Sequence, residues 1–303
     1  VVHMPAHIFI RVGDYERAIE NNRRSLAVDQ EFAAIWGDRP LPSQGTYNLS
    51  HRVHAGHALD FIRFAATMQG SYATANSSAW EMANRMTPAA ATMGRAQKRR
   101  AAPWLVMKIF GRWDELLALD PPEQTTPYLS GIWCYVQGSA FVAKGELGLA
   151  QAELETLEAL ATAHSASGNR AGATATAEIL TLAAHGLQGE IQLATGDLAG
   201  AIASFEAGVA VEDTNNYTEP PDWPQSMRLY LGSALLRAGR FAEAQSVFER
   251  DLQWNQNNGW SLFGLTQALR AQNLTVAADA RALQWEKAWE SADMGLTEAV
   301  VLD

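Results

Sequence analysis

The stretch Gly189–Phe205 reads GEIQLATGDLAGAIASF. Gly196 lies in its middle, where a residue that accepts a left-handed backbone ends one helix and lets the chain reverse into another. Leu198 and Ala201 open the second helix three residues apart and Phe205 follows a turn later, so the three share a face. Gly189, seven residues before the turn, leaves the first helix without a side chain where the second can approach closely.

The layout recurs. A turn glycine, one residue, an aromatic or Leu, and then Ala or Leu three positions on appear at Gly13-Asp14-Tyr15 with Ala18, Gly70-Ser71-Tyr72 with Ala75, and Gly111-Arg112-Trp113 with Leu116. Further copies are Gly145-Glu146-Leu147 with Ala150 and Gly239-Arg240-Phe241 with Ala244. Gly138 and Gly232 repeat the role of Gly189, and Leu154 and Phe248 that of Phe205. These residues resemble the tetratricopeptide (TPR) consensus over nearly the whole chain. The resemblance implies an all-α, right-handed α-α superhelix, a TPR-like solenoid of about seven helix pairs. It forms one unit over residues 1–303, with His-rich N-terminal pairs in 1–86, central pairs in 87–212 and C-terminal pairs in 222–290. Turn glycines are 34 to 57 residues apart, so several units exceed the TPR length. Trp285 and Trp289, four apart near the end, read as capping core.

Composition narrows the function. The 303 residues are 48% hydrophobic, enough for a sizeable core, and the net charge is −10. The single basic run, Lys98-Arg99-Arg100, reads as a solvated face, so nucleic acid is not an expected partner. No apolar run is long enough to span a membrane. One cysteine, Cys134, excludes an intrachain disulfide and favours a cytoplasmic location. The opening VVHMPAHIFIRVG begins as though inside an element, and the chain is expected to be the C-terminal part of a longer protein whose targeting information lies upstream. P-loop, G-x-S-x-G and G-x-G-x-x-G motifs do not occur.

Five of the seven histidines fall within the first 57 residues: His3, His7, His51, His54 and His57. His54, His57 and Asp60 are three apart and share one helical face, which His51 extends by a turn. Pro5 sits in the first turn of its helix, which places His3 just outside it. Neutral imidazoles with one carboxylate on neighbouring helices make a ligand set for Zn, Cu, Ni or Fe, with His3, His7, His54, His57 and Asp60 as candidates. The alternatives are a metal-free polar pocket and ordinary surface histidines. HMPAH has the zincin His spacing without the Glu base.

HMPAHIFIRVGDYERAIENN, FGRWDELLALDPP, EPPDW and NNGWSLFGL resemble segments of a group of long bacterial TPR-repeat proteins without a defined activity. The resemblance aligns His3 and His7 with the two histidines of the first segment and His57 with one of a paired-His helix. Asp60 and Cys134 stand where some members have further histidines.

Two Pro-rich connections interrupt the repeats, DRPLPSQGT at 38–46 and DTNNYTEPPDWP at 213–224. In the second, Glu219 and Trp223 are pocket candidates, Asp222 reads as the cap of the next helix, and Arg228 is placed to pair with Glu219 or an anionic ligand. Cys134, between Trp133 and Tyr135, reads as an inert buried thiol. The sequence thus supports a binding module whose concave groove holds a peptide or partner-protein segment. It equally leaves open a metal-dependent enzyme, hydrolytic or redox, on the same scaffold, and a structural spacer.

Overall fold

The computed structural model describes residues 2–36, 51–86, 94–123 and 126–302, of Trp36 and residues 51–54 only the backbone. The loop 38–46 and the side chains of His51 and His54 therefore lie outside the described residues. All regular structure described is helical, apart from a single isolated bridge between Arg170 and Ala175.

The described helices are α1 (Pro5–Arg11), α2 (Tyr15–Trp36), α3 (His51–Met68), α4 (Tyr72–Asn84), α5 (Arg95–Ile109), α6 (Trp113–Leu117) and α7 (Pro127–Ala143). They continue as α8 (Leu147–Ala163), α9 (Thr176–Ala194), α10 (Leu198–Glu212), α11 (Met227–Arg237), α12 (Phe241–Trp254), α13 (Gly259–Ala271) and α14 (Thr275–Ala288). Each packs against the next, as the repeat predicts. Helices two apart also touch, in the series α3, α5, α7, α9, α11 and α13, which forms the inner layer.

Burial follows that division. Outer helix α8 buries only Ala150, Leu154, Leu157 and Ala161, a stripe of period near 3.6. Inner helix α9 is buried on most of its faces. A Cβ placed on Gly189 meets the Phe205 ring at 2.4 Å, and one on Gly232 meets Phe248 at 2.4 Å, so the small residue and the aromatic of the repeat are packing partners.

The last pair lies against the first two. The Tyr15 hydroxyl donates to the Gln256 carbonyl at 2.9 Å, and the Trp260 indole to the Thr67 carbonyl at 2.8 Å. Trp289 packs edge-on against Trp260 and lies directly over Gly70, where φ is +75° and a Cβ would come within 2.3 Å of the indole. Trp285 stacks on Trp289; Trp289 belongs to the core and Trp285 packs half-buried against it. Across the inner layer, the Lys108 ammonium of α5 donates to Glu190 of α9 at 2.7 Å and to the Tyr230 hydroxyl of α11 at 2.8 Å. Lys108 is 1% exposed and Glu190 3%, so at this level the inner helices meet through buried side chains rather than around an open channel. No described helix is long and apolar enough to cross a membrane.

Candidate metal centre

Three histidines converge. His3 lies just ahead of α1, His7 one turn into it and His57 on α3, and one ligand nitrogen of each lies within 4.8 Å of the others. Pro5 starts α1 with its fixed φ and missing N–H, which places the two N-terminal imidazoles on either side of the helix start. The ring of Phe61, one turn beyond His57, touches all three imidazoles at centroid distances of 4.6 to 5.0 Å and forms an apolar floor.

Two hydrogen bonds set the tautomers. The His3 Nδ1 donates to Asn22 Oδ1 at 2.6 Å; the Asn22 amide nitrogen is committed to the Ala18 carbonyl at 2.7 Å, which turns the oxygen toward His3. The His7 Nδ1 donates to Glu219 Oε2 at 2.5 Å. With both Nδ1 atoms protonated, the two Nε2 atoms face each other at 3.0 Å. Two lone pairs that close need a proton or a cation between them. Nitrogens sharing a tetrahedral zinc with bonds of ~2.0–2.1 Å stand about 3.3 Å apart, so the His3–His7 pair fits a metal after a small opening and His57, within 4.8 Å, joins it by moving inward. His57 is held neutral: burial above all, then the charge of His3, lowers its pKa from 6.5 to about 4.

Glu219 comes from the 213–224 loop, which is tied down throughout. Its other oxygen accepts from the Tyr217 hydroxyl, and Arg11 Nε lies 4.0 Å away. The Lys98 ammonium donates to the Pro220 and Pro221 carbonyls at 3.2 and 3.0 Å. The Glu219–Pro220 peptide is cis, and Trp223 packs against Tyr135 with ring centroids 5.4 Å apart. A cavity of about 320 Å³ opens between this loop and Ile10, Phe64, Met68 and Trp254, with Arg11, Glu219, Trp223 and Arg228 in its wall.

Several expected roles change. Asp60 does not join the histidines: Arg63 grips its carboxylate at 2.6 and 2.8 Å and Lys98 lies 3.6 Å away. Burial pushes that carboxyl up, but Arg63 and Lys98 outweigh it and hold the pKa at about 2. Arg228 pairs with Asp213 at 2.7 Å, not with Glu219, because the loop carries Glu219 toward α1. Asp222 does not cap α11; Ser226 does, while Asp222 accepts from the Ala173 and Thr174 amides ahead of α9 and faces Lys98 at 3.3 Å. The Cys134 thiol is buried, and burial pushes its pKa up to about 12, as its apolar neighbours predict. Asn22 was not a candidate, although its place in the buried stripe with Ala18 and Ile19 marks it as an amide needing a partner.

A comparison with protein-family models finds no match, and none of the curated proteins matches the chain.

Proposed function

We propose that the chain is a metal-binding helical-repeat protein whose centre is His3, His7 and His57, with the three-nitrogen donor set of a catalytic zinc-type site. The observation that carries this is the 3.0 Å approach of two Nε2 atoms whose Nδ1 atoms are both engaged, by Asn22 and by Glu219. Imidazole donors suit Zn, Cu, Ni and Fe, and three protein ligands leave a coordination position open. A metal held there supplies Lewis acidity and an activated water, the basis of a hydrolytic reaction. The protein's own part is orientation. Glu219 and Asn22 fix the tautomers from behind the ligands, and Phe61 keeps one side of the centre dry. The scaffold in this reading is a right-handed TPR-like superhelix, supported by the turn glycines and the Gly189–Phe205 and Gly232–Phe248 contacts. The peptide-groove reading draws less support, since Lys108, Glu190 and Tyr230 occupy the inner face with buried contacts.

The test is metal content, by mass spectrometry on protein purified without a His tag or metal column. About one transition metal per chain is expected, lost in the His7→Ala/His57→Ala double variant. No metal in the wild type, even after incubation with Zn, Cu, Ni and Fe, would overturn the proposal and leave a binding module or spacer.

A further inference from the structure

We infer that Arg99 anchors an oxyanion of a small substrate, a carboxylate or phosphate group, directly beside the histidine centre. This deepens the metal reading and rests on it for what happens next to the anion, though not for the anchor itself. A second cavity, of about 40 Å³, lies where α3, the first turns of α5 and the 218–222 segment meet. His57 and Glu219 line it together with Arg95, Lys98 and Arg99.

The charges in this cleft are not equally engaged. Asp60 and Asp222 share Lys98, at 3.6 and 3.3 Å, and Asp60 also holds Arg63. Glu219 is occupied by His7, Tyr217 and Arg11. Each acid thus has a nearer cation than Arg95 or Arg99. Arg99 acts on Asp60 only through space, as the smallest of the influences that lower its pKa, and among the described residues neither arginine makes a hydrogen bond or ion pair within contact distance. Arg95 is exposed, whereas Arg99 is half-buried. A guanidinium drawn partly out of water without a contact partner is costly unless something anionic meets it.

Its position is built into the backbone. The guanidinium lies flat against Gly56, the residue before His57, where a Cβ would come within 2.7 Å of Nη1 and 2.9 Å of Cζ. Any side chain at 56 would push it away from the centre. A guanidinium fork presents two parallel N–H groups to the two oxygens of a carboxylate or phosphate, so Arg99 suits either. A substrate gripped there would lie beside His57, which lines the same cleft. The basic run that looked like a solvated face thus divides: Lys98 is structural and Arg99 faces the ligand.

The experiment uses cobalt(II) as the metal probe and acetate and inorganic phosphate as separate anion probes. Cobalt-loaded wild type is expected to change its visible absorption on titration with one of them, and which one identifies the anion class. Arg99→Gln should keep its cobalt stoichiometry but bind that anion about tenfold or more weakly, the loss expected for one charge-assisted fork. Arg100→Gln, which removes the same charge from the same run, should stay within about twofold because Arg100, half-buried like Arg99, does not line the cleft and acts on it only through screened distance. If cobalt binds and neither anion perturbs it, or Arg99→Gln responds like wild type, the anchor is overturned and the metal centre stands. If cobalt does not bind, the metal centre falls. The anchor is then judged by calorimetry on metal-free protein, where heat of anion binding that disappears in Arg99→Gln supports it and its absence overturns it.

Discussion

His57 carries a pH dependence of its own. Burial, and then His3, hold its pKa at about 4 against an ordinary 6.5, so the unfolded chain takes up this proton first as the pH falls. The native state therefore binds fewer protons than the unfolded state between those values, and stability declines from about pH 6.5 to about pH 4 while remaining unaffected above. Thermal unfolding of metal-free protein across this window should slope more steeply for wild type than for His57→Gln. Equal slopes would mean that the folded site accepts the proton as readily as the unfolded chain. At this scale the sequence was informative about His3, His7 and His57, because histidines in such number on short helical spacings are legible as a pattern. Asp60 shares that spacing with His57 yet turns to Arg63 and Lys98, because a helical period assigns a face but not the partner waiting there. Arg99 and Asn22 were not legible as site residues, since what distinguishes them is a bare glycine and a histidine from other helices.

The helix α4 shows how one element depends on a distant one. Its first turn is not capped by Ser71; the Asp293 carboxylate accepts from the Tyr72 and Ala73 amides, both at 2.7 Å. An N-terminal pair is therefore capped by the segment that follows the last helix, and the negative charge also meets the helix N-terminus favourably. Asp293→Ala should cost about 1–2 kcal/mol in denaturant unfolding. It should also raise amide exchange at Tyr72 and Ala73 before it does so elsewhere. Unchanged exchange at those two amides would show that water serves as well as the carboxylate. The helices themselves were readable from the glycine and aromatic spacing. This cap was not, because 220 residues separate donor and acceptor.

For the molecule as a whole, Lys108 is a buried charge that joins three helices. Glu190 and Tyr230 surround it, its ammonium lies 4.7–4.8 Å from the Tyr230 and Tyr135 ring centroids, and it ties α5 to α9 and α11. Although burial opposes the charge, Glu190 and Tyr230 outweigh it and raise the Lys108 pKa, so the lysine stays protonated. Removing one partner leaves the other charged and dry. Lys108→Met should destabilise by about 3–5 kcal/mol, whereas Lys108→Met/Glu190→Met should recover most of the loss. A double variant as unstable as the single would show that the lysine contributes through packing rather than charge.

The amino-acid order by itself determined that this is a chain of paired helices, where the turns fall, and which face of each outer helix is apolar. Those properties follow from backbone freedom at glycine and from a period of 3.6, both local. Only the tertiary structure decided that the last pair meets the first two, that Glu219 rather than Asp60 stands behind the histidines, and that Lys98, unlike Arg99, is taken up by loop carbonyls and carboxylates. Each of those depends on which side chains arrive from a distance to satisfy a buried polar group, and that contest is settled by packing between elements.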